Sequence, residues 1–131
     1  MKAQRISSGA LKKILSGEVK DSSLCILKLY SEMCPKCHAL APLYTRLADE
    51  FPDVYFLAFN VDDDDVESLI GRSITGVPTL FAIRTRKRPD HRGSKTRIRR
   101  LDDPKEPHAD MWYHPSDIRT FIKTNLRRAN K

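Results

Sequence analysis

Leu24-Cys25-Ile26-Leu27-Lys28-Leu29-Tyr30-Ser31-Glu32-Met33-Cys34-Pro35-Lys36-Cys37 is an apolar run broken by Lys28, followed closely by a Cys-x-x-Cys pair. The run reads as a buried central strand: it is short, mostly apolar and ends before a turn. Past the cysteines, Ala39, Leu40, Leu43, Leu47 and Phe51 recur at helical spacing and predict a helix over 35–50. Pro35 suits the first helical turn, where no backbone donor is needed. Pro42 falls inside the pattern and predicts a kink. Cys34 therefore stands where a strand has ended and a helix begins.

That position carries chemistry. A sulfur at a helix entrance sits beside unpaired backbone donors and the positive end of the helix dipole, which lower its pKa and raise the thiolate fraction. Lys36 and His38 add positive potential nearby. Cys37, one turn in, is expected to be less exposed. The asymmetry assigns roles: Cys34 attacks a target disulfide as the nucleophile, and Cys37 resolves the mixed disulfide. A competing reading is half of a zinc site. Zinc needs about four ligands, usually including a second close pair. Cys25 instead lies inside the predicted strand, and His91, His108 and His114 are scattered without ligand spacing, so no metal site is assigned. Cys25 itself reads as a small buried apolar residue.

Working outward, Leu11, Ile14 and Leu15 predict a short helix ending near Gly17. Residues 54–61 read as a second buried strand. Asp62 to Asp65 form a solvated turn leading into a short helix over 66–72, where acids suit the N-terminal end. Residues 74–78 read as a loop and 79–84 as a third strand. A turn over 89–93 then leads to an edge strand over 96–101. Residues 104–113 look irregular. Pro115 opens a last helix with Ile118, Phe121, Ile122 and Leu126 as its buried stripe. The order helix, strand, helix, strand, helix, strand, strand, helix implies an α/β sheet between helices, parallel at its centre with an antiparallel edge.

The totals set further bounds. The 131 residues fit one domain over 1–131, large enough to bury a core without disulfide staples. No run of about 18 apolar residues predicts a membrane span. Lys12 and Lys13 interrupt any apolar stretch after the N-terminus, which argues against a signal peptide and for a reducing, cytoplasmic setting. The net charge of +7 is concentrated: nine Lys and Arg against one acid lie between Arg84 and Arg100, leaving 15 bases against 16 acids elsewhere. This basic hairpin insert reads either as a charged edge that resists strand pairing or as a dock for an acidic partner or nucleic acid. The absence of aromatic residues from 84–100 counts against single-strand recognition. The Met111-Trp112-Tyr113 cluster reads as packing of a loop over the last helix, with a partner contact as the alternative.

With the strand, the Cys34/Cys37 pair, the Pro42 helix, Asn60-Val61-Asp62 and Gly76-Val77-Pro78-Thr79 in view, the sequence resembles the thioredoxin superfamily from about Leu24 to Ile83. The resemblance implies a thioredoxin-like fold, a mixed central sheet flanked by helices on both faces. It implies a cis Pro78 beside the cysteines, and a substrate main chain pairing with Val77 next to Gly76, as in strand addition. It also implies protein disulfide substrates, recharging by a thioredoxin reductase or by glutathione, a monomer, and no cofactor beyond the redox-active Cys34–Cys37 disulfide. Two departures stand out. Thioredoxins carry Trp before the first cysteine and Gly-Pro between the pair; here Met33 precedes Cys34, and Pro35-Lys36 looks more like a glutaredoxin dipeptide. The family's buried acid, six residues before the first cysteine, is replaced by Lys28. A buried lysine is costly, so Lys28 is expected to be neutral, to snorkel or to pair with an acid. It is also expected to favour thiolate and make the pair more oxidising.

Three functions follow from these residues. The first is a thiol–disulfide oxidoreductase cycling Cys34 and Cys37. The second is a thioredoxin-fold binding module that uses the 84–100 insert. The third is a glutaredoxin-like enzyme, against which the absence of a Gly-Gly element after Pro78 counts.

Overall fold

A computed structural model describes residues 3–17, 23–87 and 94–129. The turn expected over 89–93 lies outside the described residues. Five strands form one mixed sheet: β1 (Gln4–Arg5), β2 (Ser23–Tyr30), β3 (Tyr55–Asn60), β4 (Thr79–Lys87) and β5 (Ser94–Arg100), in the spatial order β1-β3-β2-β4-β5. The helices are α1 (Ser8–Leu15), α2 (Pro35–Glu50), α3 (Val66–Ile70) and α4 (Pro115–Ala129). No helix among the described residues is long and apolar enough to cross a membrane.

β2 is the central strand because both of its faces are covered. Leu24 and Ile26 point into a core with Leu40, Leu43, Leu47 and Ile118 from α2 and α4. Cys25, Leu27 and Leu29 point the other way, against Leu11 of α1 and Val66 of α3. Alternate side chains of a strand face opposite sides, so a strand covered on both reads as continuously apolar. Lys28 falls in the row that faces α2.

Parallel pairing of β2 with β3 is made by the α2 crossover, with Leu27 opposite Leu57 and Tyr30 opposite Asn60. The second crossover behaves differently from the strand–helix–strand expectation. β4 runs antiparallel to β2, with Leu29 opposite Thr79. The reason is length. Five residues of α3 advance the chain by only about 7.5 Å at 1.5 Å per residue. The chain therefore re-enters the sheet at the end where β3 stopped. Gly71, in the left-handed region at φ 75°, ends α3.

The remaining differences are local. The two-residue strand β1 carries no apolar pattern and is missing from the expected order; pairing with Leu57 and Ala58 creates it. β4 extends beyond residue 84 to Lys87 because β5 supplies partners as far as Ser94. On α4 the buried positions include Asn125, whose amide donates to Phe121 O, while Phe121 and Leu126 are only partly buried.

Candidate active site

Cys34 caps α2. Its backbone is extended (φ −101°, ψ 104°), and its sulfur accepts the N–H of Cys37 at 3.1 Å. Its own N–H donates to Ser31 O, and its carbonyl receives His38 N–H, the first turn of the helix. Proline at the next position loses no bond there, because the leading N–H groups of a helix have no intrahelical partner. Cys34 and Cys37 are joined as a disulfide with their Cα atoms 5.2 Å apart. Cys37 is buried and Cys34 is half-exposed, the asymmetry expected from their order on the helix. Once the disulfide opens, the backbone donor and helix dipole that face Cys34 favour its thiolate.

The Val77–Pro78 peptide bond is cis, and Val77 O lies 3.6 Å from Cys34 Sγ. Gly76 is exposed, and its carbonyl accepts the Thr79 hydroxyl at 2.6 Å, which ties the loop across its own turn. Pro78 is buried beneath it. The residues Met33, Cys34, Pro35, Gly76 and Val77 are thus brought to one end of the sheet, where β2 finishes and β4 begins.

The family model for thioredoxin matches residues 10–102, most of the chain. The chain belongs to the thioredoxin family. A thioredoxin from Geodia cydonium is 36% identical over 57 residues, covering 44% of this chain and 53% of that one. Thioredoxin H4-2 of Oryza sativa subsp. japonica is 31% identical over 72 residues, covering 54% and 53%. The chain spans about half the length of these two relatives. A poplar thioredoxin h crystal structure superposes with a TM-score of 0.64 at 19% identity, covering 96% of this chain and 97% of that one; this likeness shows the fold.

Against that family pattern, the residues around the cysteines arrange as follows. Met33 stands where thioredoxins carry tryptophan and is 87% exposed, a flexible thioether in solvent beside the nucleophile. Lys36 sets its ammonium over the Trp112 ring, 5.4 Å from the ring centre. His38 is exposed, and its Nε2 is 2.6 Å from Glu32 O, so the ring is held at the rim. Lys28 is only 7% exposed and has no acid partner among the described residues. Its ammonium lies against two rings, 4.7 Å from the Tyr44 centroid and 5.6 Å from that of Tyr30. Burial lowers its pKa from the ordinary 10.5. Together with Cys37, His38, Arg5 and Glu32 it lines a cavity of about 210 Å³. Of the three expectations for Lys28, acid pairing is not what the fold provides.

A larger cavity of about 680 Å³, bordered by Leu101, Asp103, His114 and Phe121, includes no residue of the cysteine motif. Among the described residues no three His, Cys, Asp or Glu side chains converge as a metal ion would need. Two residues beside the site are not assigned to it by the sequence reading. Tyr44, fully buried, reaches from α2 to the carbonyls of Ile26 and Leu57; its i+4 spacing from Leu40 is the available signal. Trp112 reaches the site from the irregular 104–113 segment, and nothing local in the sequence announces that.

Proposed function

We propose that the protein reduces or exchanges disulfides of other proteins through a Cys34/Cys37 dithiol–disulfide cycle. The Cys34 thiolate attacks one sulfur of the target, and the target's other sulfur leaves as thiolate. Cys37, deprotonated, then attacks Cys34 Sγ, re-forming the intramolecular disulfide and releasing the second target thiol. Two electrons pass from the dithiol to the target. The observation that carries this reading is Cys34 at the α2 entrance, bonded to Cys37 and receiving its N–H. Val77, with its carbonyl 3.6 Å from Cys34 Sγ, supplies main-chain groups to align an extended substrate segment. Gly76 beside it leaves room for that approach.

The cycle needs no cofactor other than the disulfide itself. A thioredoxin reductase or glutathione would return the electrons in a reducing compartment such as the cytoplasm, with the protein acting as a monomer of one domain. Insulin reduction driven by dithiothreitol tests the reading. Wild-type protein is expected to precipitate the insulin B chain, and Cys34→Ser to lose that activity; activity intact in Cys34→Ser would remove Cys34 from the mechanism.

A second reading, a binding surface for an acidic partner, is favoured by one feature. Arg84 and Arg97 pair across β4 and β5, so with Arg86 and Arg99 they share one sheet face. Arg128 of α4 adds to the same field, and burial together with these like charges lowers the Arg84 pKa. Such a face would hold an acidic partner by charge complementarity, with the cysteines incidental to the binding. Binding of an acidic peptide that persists in the Cys34→Ser/Cys37→Ser variant and weakens steeply with salt is the expected result.

A further inference from the structure

The geometry points to Trp112 as one wall of a side-chain subsite that selects an apolar or aromatic residue next to the cysteine attacked by Cys34. This rests on the exchange reaction proposed above and names the kind of polypeptide it favours. Val77, whose carbonyl approaches Cys34 Sγ, belongs to a loop that also forms one side of a cavity of about 300 Å³. Thr75, Gly76, Val77 and Pro78 line it from the loop, and Trp112 and Asp103 line it from later in the chain. A substrate strand running along Val77 would thus carry a neighbouring side chain into this space.

Trp112 is held there by several contacts. Its backbone pairs in both directions with His108, at 2.9 and 3.2 Å. The adjacent Tyr113 is buried, and its hydroxyl accepts Leu80 N–H at 3.3 Å from the start of β4. Lys36 stacks its ammonium on the ring. The backbone at Trp112 has φ 67°, a left-handed conformation that bulky residues rarely adopt unless their surroundings impose it. Trp112 also lies beyond residues 10–102, the part that matches the family model.

The occupant follows from the lining. Val77, Pro78 and the indole present apolar surface. The one carboxylate of the lining, Asp103, is already engaged by Arg100 at 3.2 Å. An apolar or aromatic side chain fits that chemistry better than a cation.

The test uses short peptides whose single cysteine is activated as a mixed disulfide with thionitrobenzoate, with Phe, Gly or Lys flanking the cysteine. Release of thionitrobenzoate by reduced protein gives the rate. The Phe peptide is expected to react about ten-fold or more faster than the Gly peptide. Trp112→Ala should erase that preference, bringing the Phe rate down to the Gly rate of the same variant. Trp112→Gly should do the same while relieving the left-handed backbone, which keeps the test valid if the alanine variant folds poorly; Trp112→Phe should retain part of the preference. Because Trp112 is the sole tryptophan, its emission in Cys37→Ser trapped with the Phe peptide should shift to the blue, and with the Gly peptide should not. Equal rates for all three peptides, faster reaction of the Lys peptide, or uniform slowing by both ring-deleting variants would overturn the subsite. Release from no peptide would instead mean an inert Cys34, and would take down the exchange reaction together with the subsite.

Discussion

Lys28 and Cys25 both belong to β2 yet face opposite sides of the sheet and meet different fates. Lys28 faces α2, where the rings of Tyr30 and Tyr44 contact its ammonium but no described carboxylate neutralises it. A buried cation without a counter-charge opposes folding. The Lys28→Met variant, which keeps the length of the stem, should be more stable by on the order of 1 kcal/mol at neutral pH. The sign with pH is defined. Below Lys28's lowered folded pKa, folded and unfolded chains both bind the proton, and the folded state bears the whole cost. Between that pKa and 10.5 only the unfolded chain binds it, so wild-type stability falls less steeply, or rises, as the folded chain sheds its buried charge and the cost declines. The linkage relation fixes this direction: stability rises with pH wherever the unfolded state binds more protons. Urea melts from pH 7 to 11 should therefore show the advantage of Lys28→Met shrinking as pH rises, after allowance for other titrations; a constant difference would contradict the assignment. Lys28→Asp should also lower the reduction potential of the cysteine pair by tens of mV, about 30 mV for each factor of ten in the equilibrium constant, readable by equilibration with glutathione. Cys25 faces the α1 side, and burial pushes its thiol up to about 11. Native protein at pH 8 should yield to iodoacetamide at Cys34 once reduced, with Cys25 alkylated only on unfolding, as peptide mapping would show.

At the scale of elements, α2 and the central strands are tied by one hydroxyl. Tyr44 Oη lies 2.6 Å from Leu57 O on β3 and 2.8 Å from Ile26 O on β2. Its single proton donates to one of them, in a fully buried setting where an unmet carbonyl is costly. Tyr44→Phe should cost about 1–3 kcal/mol in chemical denaturation, with the exchange rate at Cys34 far less affected; an unchanged midpoint would remove Tyr44 as the clasp. α3 depends on a different contact. Asp65 accepts from Ser68 N–H and Oγ–H, and these bonds lower its carboxyl pKa. The cap supports a helix of five residues that could not persist alone. Helix order here matters to function because α3 leads directly into the 74–78 loop.

For the whole molecule, charge placement is the dominant feature. The +7 net charge is gathered on the β4–β5 side, where Arg84, Arg97 and Arg99 share a face near Arg128. Self-repulsion of this kind weakens as the Debye length falls from about 10 Å at 0.1 M salt to about 3 Å at 1 M. Thermal melts should rise by a few degrees over that range, and Arg97→Glu should abolish most of the rise. A salt-independent Tm would indicate that counter-charges already balance the face.

Much of this molecule is legible in the order of its residues. The strand–cysteine–helix junction, the span of α2 from Pro35 to Glu50, the buried Cys37 beside a half-exposed Cys34, and the edge position of β5 are governed by local periodicity and by rules for helix entrances, which act between neighbours in sequence. What only the tertiary structure decided are contacts between distant segments. The two-residue β1 exists because β3 offers it partners. β4 reverses direction because α3 is too short to carry the chain back. The Lys36 ammonium meets the ring of Trp112, and Trp112 itself arrives beside the cis-proline loop from far along the chain. Periodicity reports which face of an element is buried, but a pairing between remote residues is set by packing, and no local pattern encodes it.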